Sequence, residues 1–483
     1  VKHSALINVA DALNGLPHFD TFCSVAKLHD LAERLGADPR FKVQVAGKSR
    51  SGQDIHHLRF GSSEFKALFV AFPHCHEPIG GLTVYSLLTL LSENCPTLLS
   101  ADVEWHIVPC IDPDGALLNE GWTQQSYDIR NHMRNFYLQP PCDQVDVSFP
   151  VQLGKLSFDR PSAEAAVLRS IIDAVRPDFF FSLHNSNAAG GNYFYSSQKL
   201  GKFFSQQLFD LLSANDLPLL TQTPSNQYCE KFSPGIEQLP SLKSQYTFFE
   251  NHIPDHYLAG GFGASSQDYA TEINPEALVF VAELSYGKHP FDISLADSGQ
   301  TLRQLKRELD AENRALAKSL IESWDKAVDD LDSTSPLYAK LQDELIACRH
   351  VLDEEMPITW SVLQKRDIAS NPTYDAQATE CDKLREYVLG RFRFLCHGYS
   401  FVRLLEASEP TLVVQEVRAG LERLFHHALD DFCDKLDFAK HEPVPCDTLA
   451  KVQLGSGLIA LNSVLARRAG GASDKYIAGW SVA

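Results

Sequence analysis

Lys66-Ala67-Leu68-Phe69-Val70-Ala71-Phe72-Pro73-His74-Cys75-His76-Glu77 decides how the first half of the chain is read. An unbroken apolar run from Ala67 to Phe72 predicts a strand covered on both faces, and Pro73 ends it. An imidazole and, three residues later, a carboxylate follow just where the chain leaves the sheet. Sheets of this kind place their ligand sites at the carboxyl ends of strands. The same form recurs twice. Phe179-Phe180-Phe181-Ser182-Leu183 delivers His184, and Leu278-Val279-Phe280-Val281-Ala282 delivers Glu283. Phe41–Val45 and Val103–Pro109 are further strand candidates, and helical periodicity covers Gly80–Leu91 and Ala163–Val175, the latter opened by Ser162 as N-cap. The alternation from Phe41 to about Gly287 predicts an α/β domain.

The residues at these strand ends define a chemistry. His74 and Glu77 are close enough in sequence to share one face of a metal ion, and His184 from a second strand completes three N/O ligands, the number a catalytic zinc keeps beside an open position. Glu283 ends an all-apolar strand, where a carboxylate is costly unless it is partnered or functional, and it is the candidate general base. Any one of these alone reads more readily as a packed histidine or a salt-bridged strand end. Their joint placement reverses that weighting. Rival sets fail on geometry: His74 and His76 alternate on an extended chain, and Pro254 interrupts the helical spacing of His252 and His256. The pairs His56-His57 and His426-His427 point apart, and Cys75 is read as a small side chain at a crowded strand end. His76 is left to line the pocket.

The 483 residues, 44% apolar, suffice for two or three domains with large cores. A formal charge of −19 without a Lys/Arg cluster argues against nucleic-acid or anionic-lipid partners. No run approaches the ~20 apolar residues of a membrane span. The eleven cysteines show neither CxxC pairs nor a disulfide-framework spacing, so reduced thiols and a cytoplasmic location are expected. Whether a leader preceded Val1 stays open. Beyond Glu283, Leu302, Leu305, Leu309, Leu316, Leu320 and Trp324 recur at helical spacing, and amphipathic segments continue near Leu337–Leu352, Leu384–Leu395, Val413–Phe425 and Leu449–Leu465. The break Ser333-Thr334-Ser335-Pro336 suggests a boundary near residue 332, with a first domain over 1–332 and an all-helical second over 333–483.

Several motifs, in order, resemble the zinc metallocarboxypeptidases over roughly residues 20 to 325. Gly47-Lys48-Ser49-Arg50-Ser51-Gly52-Gln53 is similar to an early turn of that family, Pro73–Glu77 to its H-x-x-E zinc motif, and Asp112-Pro113-Asp114-Gly115 to its N-P-D-G turn. Phe181–Asn185 resembles the segment of the second zinc histidine, and Val281–Gly287 the segment of the catalytic glutamate. The resemblance implies a mixed eight-stranded sheet flanked by helices, one zinc ion per chain on His74, Glu77 and His184, and cleavage of an amide by water with Glu283 as base. It also implies an arginine for the oxyanion and an Asn-Arg pair gripping a substrate carboxylate, and here two alignments stand. In one, Met133-Arg134-Asn135-Phe136 is the clamp and Arg130 serves the oxyanion. In the other, Arg134 serves the oxyanion and Val145–Pro150 is a shortened clamp without its arginine. Asp128 or Asp146 would correspondingly orient His74. Tyr257 and Gln267 fall at substrate-capping and pocket-floor positions. The implied substrates are peptides, losing a C-terminal residue, or N-acyl amino acids. A non-catalytic binding module is the remaining reading, and the helical region offers a surface for self-association.

Overall fold

The apolar runs form strands because each is shielded on both sides: every residue of Glu104–Val108 and Phe179–Leu183 is buried. The computed structural model describes residues 6–186, 189–221, 228–252, 263–352 and 372–469. Among them nine strands make one mixed sheet: β1 (Phe41–Lys48), β2 (Asp54–Phe60), β3 (Lys66–Ala71), β4 (Glu104–Val108), β5 (Phe179–Leu183), β6 (Tyr193–Ser196), β7 (Lys231–Ser233), β8 (Ile236–Gln238) and β9 (Leu278–Glu283). Their order is β1-β2-β4-β3-β5-β9-β6-β8-β7, one strand more than the eight expected, with the short antiparallel β7–β8 pair at one edge. The central strands β4, β3, β5 and β9 are mutually parallel. As a result β3, β5 and β9 are direct neighbours whose carboxyl ends open on the same edge of the sheet.

Alternate residues of the central strands feed two separate cores. Phe69, Phe181 and Phe280 face the helices Val25–Gly36, Ile79–Ser92, Lys202–Ala214 and Cys446–Arg468. Leu68, Val70, Phe180 and Val279 face the helices Ala163–Val175 and Ser266–Ile273. A third core joins the helices Leu302–Ala327, Pro336–Leu352, Glu380–Ala407 and Leu412–Lys435 to the short helix Ile129–Asn135. The helical segments expected after Glu283 are therefore present. Trp324 packs beside Tyr338 and Phe401, with ring centroids 5.0 and 5.8 Å away.

The last helix, Cys446–Arg468, leaves the helical layer and returns to the sheet. It is the one helix among the described residues long and apolar enough to cross a membrane by length and composition, and 89% of its most apolar stretch is buried within the fold. Gly457 allows its approach to β5, since a Cβ there would come within 2.3 Å of the Phe181 ring. That contact brings residues from the far end of the sequence to the back of the strand that carries His184.

Candidate metal centre

The chain leaves β3 through Phe72, a buried residue with φ 59°. A left-handed conformation is unfavourable for a bulky side chain and persists only where the surroundings fix it. It turns the His74–Glu77 segment back over the sheet edge before the Ile79–Ser92 helix begins. Gly80 then lies against β5, where a Cβ would meet Leu183 at 2.9 Å, so the chain after Glu77 packs closely on the strand end that carries His184.

His74, Glu77 and His184 each offer one donor atom, and the three atoms lie within 4.8 Å of one another. His74 Nδ1 is 3.1 Å from Glu77 Oε1, and His184 Nδ1 is 2.9 Å from Glu77 Oε2. The latter contact lacks hydrogen-bond geometry, which leaves Glu77 Oε2 a buried oxygen without a hydrogen-bond partner. Such an atom is costly unless something else meets its lone pair. Burial alone would raise the Glu77 carboxyl pKa, but His74 and His184 outweigh it and hold the group well below the usual carboxylate range. For His184, burial opposes protonation while Glu77 and Asp146 drive its pKa well above the ordinary value. The local field thus favours positive charge at this point. Two imidazoles and a carboxylate with one oxygen left without a hydrogen-bond partner fit a zinc-type cation.

Asp146 supports His184 from outside this trio. Its Oδ2 lies 3.1 Å from His184 Nε2 and accepts from Gln267 Nε2 at 2.6 Å. Oδ1 accepts from the Ser266 backbone N–H at 3.2 Å and from the Ser266 hydroxyl. A carboxylate on the far nitrogen of a ligating imidazole fixes its tautomer and orientation. Asp146 meets His184 rather than His74, and Asp128 caps the Ile129–Asn135 helix by accepting from Asn131 N, so neither orients His74 as expected.

Glu283 ends β9 and lines the same cavity of about 260 Å³ as His74, Glu77, His184 and Asp146. Burial, then the nearby Glu77 charge, pushes its carboxyl up to about 7. Tyr195, Val147, Leu239 and Leu242 form much of the remaining wall. Gln267 also lines this cavity, but its amide is engaged by Asp146 and its Nε2 lies 2.8 Å from His184 Nε2. It stands in the cavity wall beside His184. Tyr257 lies outside the described residues, as does His256.

The arginines expected at the site are elsewhere. Arg130 pairs with Asp430 on the Leu412–Lys435 helix, and Arg134 reaches toward His426 Nδ1 at 3.5 Å and over the Tyr399 ring. Asn135 donates to Asn131 within its own helix. Arg134 and Asn135 line a separate concavity of about 730 Å³ against the helical layer. The cause is packing. Ile129, Met133 and Phe136 insert into the helical core and turn this segment's charged face toward Asp430 and Tyr399. The described residues lining the metal cavity include no Lys or Arg.

The other two motifs meet one another. Ser49 and Ser51 bond the Asp114 carboxylate, with Ser49 Oγ to Oδ1 at 2.8 Å and Ser51 N to Oδ2 at 2.8 Å, while Asp112 caps the Pro113–Thr123 helix. Cys75 is buried and donates toward Gln139 Oε1 at 3.0 Å, consistent with its packing role. His76 is also largely shielded. Its Nδ1 has no hydrogen-bond partner, and its ring stacks beside His74 at 5.9 Å.

No family model and no curated protein sequence matches this chain. Solved structures do. Carboxypeptidase A from Helicoverpa armigera is 16% identical over 58% of this chain and 70% of its own, with a TM-score of 0.36. The metallo-carboxypeptidases from Burkholderia cenocepacia (15% identity, TM-score 0.32) and Pseudomonas aeruginosa (16%, 0.31) each match 55% of this chain and 60% of their own. These three are carboxypeptidases. At these scores the likeness says nothing about substrate or residue roles, which rest on the geometry above.

Proposed function

We propose that this chain is a zinc-dependent amide or peptide hydrolase whose metal ligands are His74, Glu77 and His184 and whose general base is Glu283. The observation that carries the reading is the convergence of the ends of β3, β5 and β9, three adjacent parallel strands, on one cavity holding all four side chains. A zinc ion held there supplies a Lewis acid for a carbonyl oxygen and acidifies water. Glu283, with a pKa raised to about 7, is suited to take a proton from water in the cavity and return it to a leaving amine. Asp146, Gln267 and Ser182 lie 3.1, 2.8 and 3.0 Å from His184 Nε2 and together hold the ring with Nδ1 toward Glu77. Val147, Leu239 and Leu242 supply apolar wall beside the reacting groups.

Motif order favours removal of a C-terminal residue, whereas the position of Arg130 and Arg134 favours the second reading, an N-acyl amino acid deacylase that does not grip a substrate with those arginines. Glu283→Gln tests the shared chemistry: zinc binding retained with hydrolysis reduced ~10²–10⁴-fold supports the base, and retained turnover excludes it. A blocked dipeptide and its C-terminal amide separate the readings. Turnover of both within about threefold supports catalysis without a carboxylate clamp, and a preference of ~10²-fold or more for the acid restores one.

A further inference from the structure

We infer that Gln453, on the last helix, is a positioning residue of the metal centre, its side-chain amide tying together the two chain segments that carry the metal ligands. The inference rests on the metal reading of His74, Glu77 and His184.

Gln453 is fully buried on a largely apolar helix, where an amide is costly unless both its ends are matched. Both are. Its Nε2 donates to the His184 carbonyl at 2.5 Å, and its Oε1 accepts from the Thr83 hydroxyl at 2.7 Å. The orientation is forced, because the His184 carbonyl can only accept and so must face the nitrogen. Thr83 lies on the Ile79–Ser92 helix, which begins directly after the His74–Glu77 segment. One side chain therefore bridges the first ligand segment and the second.

The bridge has no local origin, since Gln453 lies 269 residues beyond His184 and 370 beyond Thr83. Its helix reaches this depth through Gly457, seated on Phe181 of the His184 strand. A second tie closes the opposite side: Asn185 donates to the Tyr286 hydroxyl at 2.6 Å, and that hydroxyl donates to the His76 carbonyl at 2.8 Å. Asp146 sets the His184 ring and Gln453 sets its backbone. Removing the amide leaves the His184 carbonyl buried and unmatched, and the turn that follows β5 gains freedom to move the ring off the metal position.

The test compares Gln453→Met with Asn462→Leu in the full chain. Asn462 is a buried amide on the same helix, but it bonds the Ile7 backbone (2.9 and 2.8 Å), away from the metal centre. Zinc dissociation constants, measured by competition with a chromophoric chelator, should rise ~10–100-fold for Gln453→Met and stay within about threefold for Asn462→Leu at a comparable loss of thermal midpoint. Equal shifts in both variants, or an unchanged constant in Gln453→Met, overturn the assignment. In metal-free protein, amide hydrogen exchange over residues 182–186 should quicken in Gln453→Met and not in Asn462→Leu. That comparison decides the positioning claim even if the wild type takes no zinc, a result that would sink the metal reading alone. Should Gln453→Met fail to fold, Thr83→Val releases one end of the bridge. It should weaken zinc binding ~3–10-fold, and an unchanged constant overturns the inference.

Discussion

Replacing Asp146 by asparagine removes one acceptor from a carboxylate that the structure uses at both oxygens. Oδ1 receives the Ser266 N–H and hydroxyl, and Oδ2 receives Gln267 Nε2 and faces His184 Nε2. Whichever way the new amide turns, its NH₂ confronts a donor. Toward Ser266 it opposes a backbone N–H that cannot rotate, and on the other side it opposes the Gln267 amide N–H. Asp146 is only 4% exposed, so water cannot relieve the conflict, and one uncompensated buried donor costs ~1–3 kcal/mol. Unfolding of the metal-free variant in denaturant should show a loss of that size. The loss on metal binding is separate: a ligating histidine without its carboxylate partner binds ~10–100-fold more weakly, or ~1.4–2.7 kcal/mol. Competition titration with a chromophoric chelator measures it. A zinc constant within about threefold of wild type would refute the claim that Asp146 orients His184.

Three further outcomes follow from the same geometry. Glu283 has its pKa raised from 4.5 to about 7, so the folded state holds a proton that the unfolded state has lost, and its contribution to stability is present below pH 4.5 and disappears as pH rises through 7. In metal-free protein Glu283→Gln should therefore gain stability over wild type between those limits, by ~2 kcal/mol once discounted for the open cavity it faces, and a pH-independent difference would contradict this. Gly457→Ala forces a Cβ to within 2.3 Å of the Phe181 ring and should destabilise the fold by ~1–3 kcal/mol in denaturant unfolding. Arg130→Ala removes a half-exposed pair with Asp430 and should cost no more than ~1 kcal/mol while leaving hydrolysis within about threefold; a loss of ~10²-fold would put Arg130 back in the chemistry.

Strands β3, β5 and β9 were legible because each is a largely apolar run leading to a polar group, and it is those groups, His74, His184 and Glu283, that converge. β2 was missed because His56, His57 and Arg59 break its apolar pattern, and β6, β7 and β8 because runs of three or four residues carry little periodic signal. Arg130, Arg134 and Asn135 were misplaced for a different reason. A local motif says which residues are available, but Asp430 and Tyr399, three hundred positions away in order of magnitude, decide where the segment faces. The sequence offers Asp146 as a partner for His74, and only the fold shows that it lies against His184. Gln453 carried no signal at all, since a lone glutamine in an apolar helix acquires meaning only when the His184 carbonyl lies beside it.

Metal content of the purified full chain tests the central claim most directly. Elemental analysis of wild type, His74→Ala and His184→Ala should find one zinc per chain in the first and well under half of that in the two variants, with folding retained by circular dichroism. Equal zinc in all three, or none in wild type after equilibration with the ion, would contradict the account.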